Sequence, residues 1–182
     1  TFSIEGNEVK VAYPDALFLM ADSLFLSRDY LGSREWFRRL LDERHRGGLD
    51  RFRQRAISRL IEVAIHLQDF EGIDNYFEQL GTSPNAEARY VKGKYLYFRG
   101  DLDDARREFS SVVAGGGLLG LKAAYFVGTI LTRQKRYDEA IEVFRSGAKY
   151  EAETPEEQEV VDLMNLGMGR LYYEKDFVEH AS

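Results

Sequence analysis

Three glycines near the middle of the chain have a spacing that could do chemistry. In the stretch "VVAGGGLLGLKAAYF" (112–126), Gly115, Gly117 and Gly120 form a G-x-G-x-x-G pattern, and helical periodicity follows it. In dinucleotide-binding folds such glycines follow a strand and let a pyrophosphate approach the N-terminus of the next helix. The pattern therefore raises the hypothesis of a nucleotide-binding enzyme.

The residues before these glycines favour a different interpretation. Val112 continues the helical spacing of Ala105 and Phe109, so a helix rather than a strand is predicted to precede the turn. Glycine suits such a position because it accepts positive φ at little cost. We therefore expect a loop between two helical units, and nucleotide binding at 115–120 remains the alternative.

Three clustered aspartates could serve as metal ligands or proton donors. Asp101, Asp103 and Asp104 lie together in "DLDD", and clustered carboxylates can bind a metal or protonate a substrate. However, Asp29, Asp69 and Asp101 occupy the same place in three similar segments. An aspartate that recurs at a helix start is typical of an N-cap. We predict caps here and no metal site.

Histidine and cysteine offer no further catalytic arrangement. His45, His66 and His180 are far apart in sequence and none has a histidine four residues away. The absence of cysteine excludes disulfides, thiolate catalysis and thiolate metal ligands. The sequence predicts no catalytic residue and no cofactor, and hence a protein that is not an enzyme.

Arginine is concentrated between residues 38 and 59. The eight arginines are Arg38, Arg39, Arg44, Arg46, Arg51, Arg53, Arg55 and Arg59. Asp42, Glu43 and Asp50 are interspersed with them, which favours a solvated helix face. Binding of an anionic polymer or a membrane surface is the alternative. The net charge of −6 makes nucleic acid an improbable main partner.

Composition predicts one globular domain or one compact array. The 182 residues are 44% hydrophobic and 13% aromatic, enough to form a core. No apolar run is long enough to span a membrane.

Four segments share one pattern that places three residue types on one helix face. They are "DYLGSREWF" (29–37), "DFEGIDNYF" (69–77), "DLDDARREF" (101–109) and "RYDEAIEVF" (136–144). Each carries an aromatic residue or leucine, then a small or aliphatic residue, then phenylalanine. The phenylalanines are Phe37, Phe77, Phe109 and Phe144. Helical periodicity also precedes each segment, so every unit is predicted to be a helical hairpin.

Small residues are expected to set the packing within each hairpin. Gly93 or Gly128 of the first helix should face Ala105 or Ala140 of the second, so that the backbones approach closely. The phenylalanine should then pack toward the following unit. One hairpin cannot bury its apolar faces alone, and stacking is required.

This order of a small residue, an aromatic residue and A-x-x-x-F resembles the tetratricopeptide repeat, whose period is about 34 residues. The resemblance covers residues 14–182 and implies an all-α solenoid of stacked antiparallel hairpins in a right-handed superhelix. The predicted repeats are 14–53, 54–85, 86–120 and 121–161, with a partial repeat at 162–182. Residues 1–13 are predicted to be an N-terminal extension or the end of a preceding unit.

The resemblance also implies a concave groove, lined by the first helix of each unit, that holds a peptide segment or helix of a protein partner. The corresponding residues are Phe18, Asp22, Phe25, His66, Tyr90, Lys94, Tyr97, Tyr125, Arg133, Arg170 and Tyr173. Tyrosine and phenylalanine are enriched at interfaces. For Phe18 and Phe98, packing against a neighbouring helix is the alternative. The predicted role is a non-catalytic scaffold or adaptor that needs no small-molecule substrate.

One finer resemblance concerns the cellular compartment. The segment 13–43 and "GMGRLYYEKDF" (167–177) are similar to units of bacterial envelope members of this superfamily, such as BamD-like and CpoB-like proteins. This implies the bacterial periplasm or cell envelope, with the cytoplasm as the alternative.

Overall fold

The chain folds into helices that pack in neighbouring pairs, as the repeat pattern predicts. A computed structural model describes residues 3–5, 8–10, 14–42, 50–81 and 84–180. The helices are α1 (Pro14–Leu26), α2 (Tyr30–Asp42), α3 (Asp50–Leu67), α4 (Ile73–Leu80), α5 (Ala86–Arg99), α6 (Leu102–Val113), α7 (Gly117–Arg133), α8 (Tyr137–Ala148) and α9 (Pro155–His180). A short antiparallel pair, β1 (Ser3–Glu5) and β2 (Glu8–Lys10), precedes them.

The chain divides into two compact units, residues 1–91 (unit 1) and 92–182 (unit 2). The first part of α5 belongs to unit 1 and its remainder to unit 2. Three helices begin ahead of the predicted repeat starts: α3 at Asp50, α7 at Gly117 and α9 at Pro155. Helix α9 is continuous across residue 162, where the partial repeat was expected to begin.

The core of unit 1 forms where α1, α2 and α3 meet. Its members include Leu17, Phe18, Ala21, Phe37, Leu40, Ala56 and Leu60. Phe18 packs edge-on against Phe37 and stacks on Phe52, with ring centroids 5.6 and 4.9 Å apart. Between α1 and α2, the buried Ser33 hydroxyl donates to the Ala21 carbonyl oxygen at 3.0 Å. Small residues thus let these two helices approach closely.

The core of unit 2 depends on two phenylalanines of the second helices. Phe109 is fully buried and stacks on Phe126 of the next hairpin, with ring centroids 4.7 Å apart. Phe144 is also buried, and its ring lies against Gly167 of α9. The expectation that these phenylalanines pack toward the following unit is confirmed.

The expected facing of glycine and alanine is wrong. A Cβ added to Gly93 would lie 2.9 Å from the Phe109 ring, and one added to Gly128 would lie 2.4 Å from the Phe144 ring. These glycines therefore make room for an aromatic ring of the second helix. The reason is steric, because hydrogen in place of Cβ leaves a hollow that a planar ring can fill.

The glycine-rich stretch is a turn between α6 and α7. Gly116 and Gly117 have φ of 68° and 63°, a left-handed conformation that favours glycine. A Cβ on Gly120 would lie 3.2 Å from the carbonyl oxygen of Val113, so glycine also permits the close approach of the two helices. The segment before the pattern is helix α6, which ends at Val113.

The aspartates fulfil the capping prediction at one of three positions. Asp29 Oδ1 accepts from the Gly32 N–H at 3.0 Å in the first turn of α2. Asp101 precedes α6 but makes no side-chain cap. Asp69 lies before the N-cap Gly72 of α4 and instead binds Arg34, with an N–O distance of 2.5 Å.

Candidate partner-binding surface

The residues predicted to line a groove lie on α1, α3, α5, α7 and α9, the first helices of successive hairpins. Each of the two units presents its own set of side chains on these helices.

In unit 1 the first-helix surface carries an ion-pair network. Arg59 of α3 binds Asp22 of α1 at 2.7 Å and Glu62 of its own helix at 2.8 Å. Arg55 lies 3.9 Å from the second Asp22 oxygen. Desolvation by burial is the largest single influence on Arg59 and lowers its pKa. The hydrogen bonds and charges of Asp22 and Glu62 together outweigh it, so the pKa of Arg59 is raised. The network fixes α1 against α3 and gives this surface alternating charge.

An aromatic group borders this network. The Arg59 guanidinium lies 4.6 Å from the centre of the Phe25 ring. Tyr30 stacks on His66 with centroids 4.4 Å apart, and Phe25 contacts both rings edge-on. The structure thus brings together Phe25 and His66, which the sequence assigned to the groove, with Tyr30, which it did not.

Glu87 and Tyr90, at the start of α5, have altered acidity. Burial raises the pKa of Glu87, and the negative charges of Glu62 and Asp22 act in the same direction. Burial also raises the pKa of Tyr90, with Glu62 contributing. Both groups are half-buried, so they add little accessible surface to this side of unit 1.

Phe18 requires a correction. Its side chain is 2% exposed and belongs to the core of unit 1. Helices α2 and α3 enclose its ring, which contacts Phe37 of α2 and Phe52 of α3. Phe18 therefore offers its ring to the core and not to a partner. Phe98, the other residue for which packing was the alternative, is 60% exposed.

In unit 2 the first-helix surface is an aromatic cluster. Tyr97 contacts Phe98 and Phe126 edge-on, with centroids 5.9 and 5.4 Å apart. Tyr125 lies 6.2 Å from Phe126 and 6.0 Å from Phe144. We call Tyr97, Phe98, Tyr125 and Phe126 the aromatic cluster. It runs from the accessible ring of Phe98 to the buried ring of Phe144.

Arg133 completes this cluster. Its guanidinium lies 4.5 Å from the centre of the Tyr97 ring. A cation held over an aromatic face keeps several N–H donors directed at solvent. Lys94, also assigned to the groove, is half-buried on α5. The combination of tyrosine, phenylalanine and arginine is typical of residues that dominate binding energy at interfaces.

Helix α9 contributes two exposed groove residues. Arg170 and Tyr173 both face solvent, and Tyr173 is 76% exposed. On the buried side, Met164 and Leu171 pack into unit 2. Arg170 and Tyr173 are therefore accessible, and their place in a partner-binding groove stays a prediction.

Sequence reasoning did not assign Tyr30 or Phe126 to the candidate surface, whereas it included Phe98 with core packing as the alternative. Tyr30 begins a second helix and was read only as part of the repeat pattern. Phe126 follows Tyr125 directly in the sequence, and this adjacency is the signal that could have indicated it.

The arginine cluster is divided by the fold. Arg55 and Arg59 are directed toward the acidic side chain of α1, and Arg39 binds Glu35 at 3.2 Å. Arg38 and Arg53 instead bind neutral groups of α4, the Tyr76 hydroxyl at 3.2 Å and Gln79 Oε1 at 2.9 Å. Arg44, Arg46 and His45 lie outside the described residues, as does the side chain of Arg51.

Two general features bear on the alternatives. Among the described residues no group of three or more histidine, cysteine, aspartate or glutamate side chains could hold a metal ion. Over the same part of the chain, no helix combines the length and apolar character needed to cross a membrane. The dinucleotide-binding interpretation lacks its strand, because helix α6 ends directly before the glycines.

The architecture defines a class of protein, a repeat array of packed helical hairpins. Residues 84–155 match the family model of the tetratricopeptide repeat. A solved structure, "Crystal structure of MamA protein", is similar with a TM-score of 0.59 and 15% identity, over 91% of this chain and 88% of that chain. A search of curated proteins found no match. The match covers less than half of the chain, and it shows tetratricopeptide repeats in residues 84–155.

Proposed function

We propose that this protein is a non-catalytic scaffold that binds a segment of a protein partner on the first-helix surfaces of its repeats. Tetratricopeptide arrays stack hairpins so that successive repeats build extended binding surfaces. The observation that carries the proposal is the aromatic cluster of unit 2, where rings from α5 and α7 meet beneath Arg133.

The chemistry of the surface favours a partner segment with apolar or aromatic side chains. Rings such as Phe98 can bury a large area with little loss of side-chain entropy. Arg133 can bind a backbone carbonyl or a carboxylate of the same segment. In unit 1, the Asp22–Arg59–Glu62 network offers both signs of charge and favours a polar part of a partner.

We also propose a bacterial cell-envelope assembly as the setting, on the resemblance of residues 13–43 and 167–177 to envelope proteins. Fractionation of cells that produce the tagged full-length protein tests this part separately. Recovery in the cytoplasmic fraction would contradict it and leave the scaffold proposal intact.

The scaffold proposal is tested by affinity capture of partners from the source organism, followed by binding measurements with the identified partner. The Tyr97→Ala, Tyr125→Ala double variant removes two rings of the aromatic cluster, and we expect an affinity loss of about tenfold or more. Tyr150→Ala is the matched control, because Tyr150 is a partly exposed tyrosine between α8 and α9.

Equal binding by the double variant and the wild type would contradict the proposed surface, provided that both have the same urea midpoint. Equal losses in the double variant and in Tyr150→Ala would also contradict it. Micromolar binding of a nucleotide that Gly117→Val abolishes would instead support the enzyme alternative.

A further inference from the structure

A polar cleft lies in unit 1 on α2, α3 and α4, and it is separate from the surface proposed above. It is lined by Arg38, Leu41, Asp42, Arg53, Asn75, Tyr76 and Gln79 and has a volume of about 520 Å³. Arg53 and Arg59 share α3, but Arg53 binds a side chain of α4 whereas Arg59 binds one of α1. The two arginines therefore serve different sides of that helix.

The two cleft arginines have neutral partners. Arg38 donates to the Tyr76 hydroxyl at 3.2 Å, and Arg53 donates to Gln79 Oε1 at 2.9 Å. Among the described residues neither arginine forms an ion pair with a carboxylate. Glu35 and Asp69, whose charges act on Arg38, bind Arg39 and Arg34 instead. Both cleft arginines therefore carry a charge that no described carboxylate neutralises.

The remaining lining groups are suited to an anion. The Tyr76 hydroxyl accepts from Arg38, which leaves its own proton free to be donated. The Asn75 amide, on the same helix, provides two further N–H donors. Asp42 is the single acid among the lining residues that the structure describes. Two guanidinium groups with a hydroxyl and an amide match the acceptor geometry of a carboxylate.

The surroundings of the cleft oppose an extended polyanion. Asp42 at the end of α2, and Asp74 and Glu78 on α4, are exposed. These charges would repel a bilayer surface or a nucleic-acid backbone, which present many anionic groups at once. The net charge of −6 acts in the same direction. A carboxylate side chain that enters the cleft singly avoids this repulsion.

We infer that this cleft binds acidic side chains of a peptide segment, with Arg38 and Arg53 as the residues that hold the carboxylates. The inference rests on the proposed scaffold function for the source of the ligand, which is a protein. It adds a second recognition site that selects for acidic residues, on helices that do not contribute the aromatic cluster.

Fluorescence anisotropy with the full chain and a labelled oligoglutamine peptide that carries two glutamates tests the inference. We expect saturable binding by the wild type and at least about tenfold weaker binding by Arg38→Gln, Arg53→Gln, because charged hydrogen bonds are lost. The matched control is Arg39→Gln, Arg107→Gln, which changes the net charge equally. Arg39 and Arg107 are exposed and pair with Glu35 and Asp104, so we expect a change of less than about twofold.

A charge-conserving variant keeps the test valid if the first variant fails to fold. Arg38→Lys, Arg53→Lys retains both charges but loses the planar guanidinium geometry, and we expect an intermediate loss of affinity. Circular dichroism and the urea midpoint establish that each variant is folded.

Four results would overturn the inference. The first is that the wild type shows no saturable binding, and the second is that an oligoglutamine peptide binds equally well. The third is that cleft and control variants lose the same affinity. The fourth is that phosphatidylserine vesicles or poly(U) RNA bind more tightly and that the cleft variant abolishes this binding. If this inference fails, the scaffold proposal still stands provided that the Tyr97→Ala, Tyr125→Ala double variant loses affinity for the captured partner. Conversely, binding of the glutamate-containing peptide that survives this double variant shows that the two sites are separate.

Discussion

The two units use equivalent helices to present different chemistry. In unit 1 the first-helix surface is dominated by Asp22, Arg59 and Glu62, which neutralise one another across α1 and α3. In unit 2 the same type of surface is dominated by the rings of Tyr97 and Tyr125 and their neighbours. The hairpin fold therefore fixes where the surface lies, and the individual side chains decide what it recognises.

The interiors of the two units differ as well. In unit 1 the α1–α2 contact combines Ala21 with the buried, hydrogen-bonded Ser33. In unit 2 the residue equivalent to Ala21 is Gly128, and the Phe144 ring fills the space left by the missing Cβ. The same repeat position thus carries alanine in one interface and glycine in the other.

The largest expected effect is a difference in the free energy of unfolding between phenylalanine variants of the two units. Phe109 in unit 2 is fully buried, so Phe109→Ala should lower the free energy of unfolding by about 3–5 kcal/mol. Phe77 in unit 1 is only half-buried, on the short helix α4, and Phe77→Ala should cost clearly less. Urea unfolding of both variants measures the difference. Equal losses would show that the repeat position, and not its burial, determines the contribution.

A smaller effect is expected at the glycines that face the aromatic rings. Gly128→Ala places a Cβ 2.4 Å from the Phe144 ring and should destabilise the protein by about 1–3 kcal/mol through overpacking. Gly169→Ala on α9 is the control, since a Cβ there meets nothing within 4 Å. Alanine in a helix is favoured over glycine, so this control should be neutral or slightly stabilising. A neutral Gly128→Ala in thermal unfolding would refute the close glycine–ring packing.

The smallest effects concern pH, and they should have opposite signs in the two units. Burial raises the pKa of Glu87 in unit 1 above its ordinary 4.5, so the folded state holds this proton more tightly than the unfolded chain. The resulting stabilisation is present below about pH 4.5 and is lost as the pH rises through the raised pKa. Wild type should therefore lose stability relative to Glu87→Gln as the pH rises.

Glu157 in unit 2 should behave in the opposite way. The backbone N–H of Glu153 donates to its carboxylate at 2.9 Å, and the Tyr150 hydroxyl donates at 3.0 Å, so the pKa of Glu157 lies below its ordinary 4.5. Its stabilisation is present above about pH 4.5 and is lost as the pH falls through the lowered pKa. Urea midpoints of Glu157→Gln and the wild type across this range should diverge with rising pH. If the stabilities of Glu87→Gln and Glu157→Gln relative to wild type changed with pH in the same direction, the contrast between the units would be contradicted.

Much of the fold could be predicted because the repeat pattern is local. The spacing of Phe37, Phe109 and Phe144 indicates the buried face of each second helix, and all three are buried. Phe77 follows the same spacing but is only half-buried, since α4 has 8 residues and begins after Gly72 in a left-handed conformation. Local periodicity cannot reveal a shortened helix.

The candidate surface was predicted less completely because contacts across helices are not encoded in one segment. The sequence assigned Phe25 and His66 to a groove, but Tyr30 joins them only because α1, α2 and α3 converge. Arg53 and Arg59 belong to one sequence cluster, and the fold directs them to different helices.

By itself, the sequence determined the helical repeats, the placement of their apolar faces and the turn at the glycines, because helical periodicity and glycine conformation are properties of neighbouring residues. Only the tertiary structure decided that Phe18 is enclosed in the core, that Gly128 faces a ring and that two arginines lack carboxylate partners among the described residues. These outcomes depend on distances between helices that are remote in sequence, and packing sets those distances.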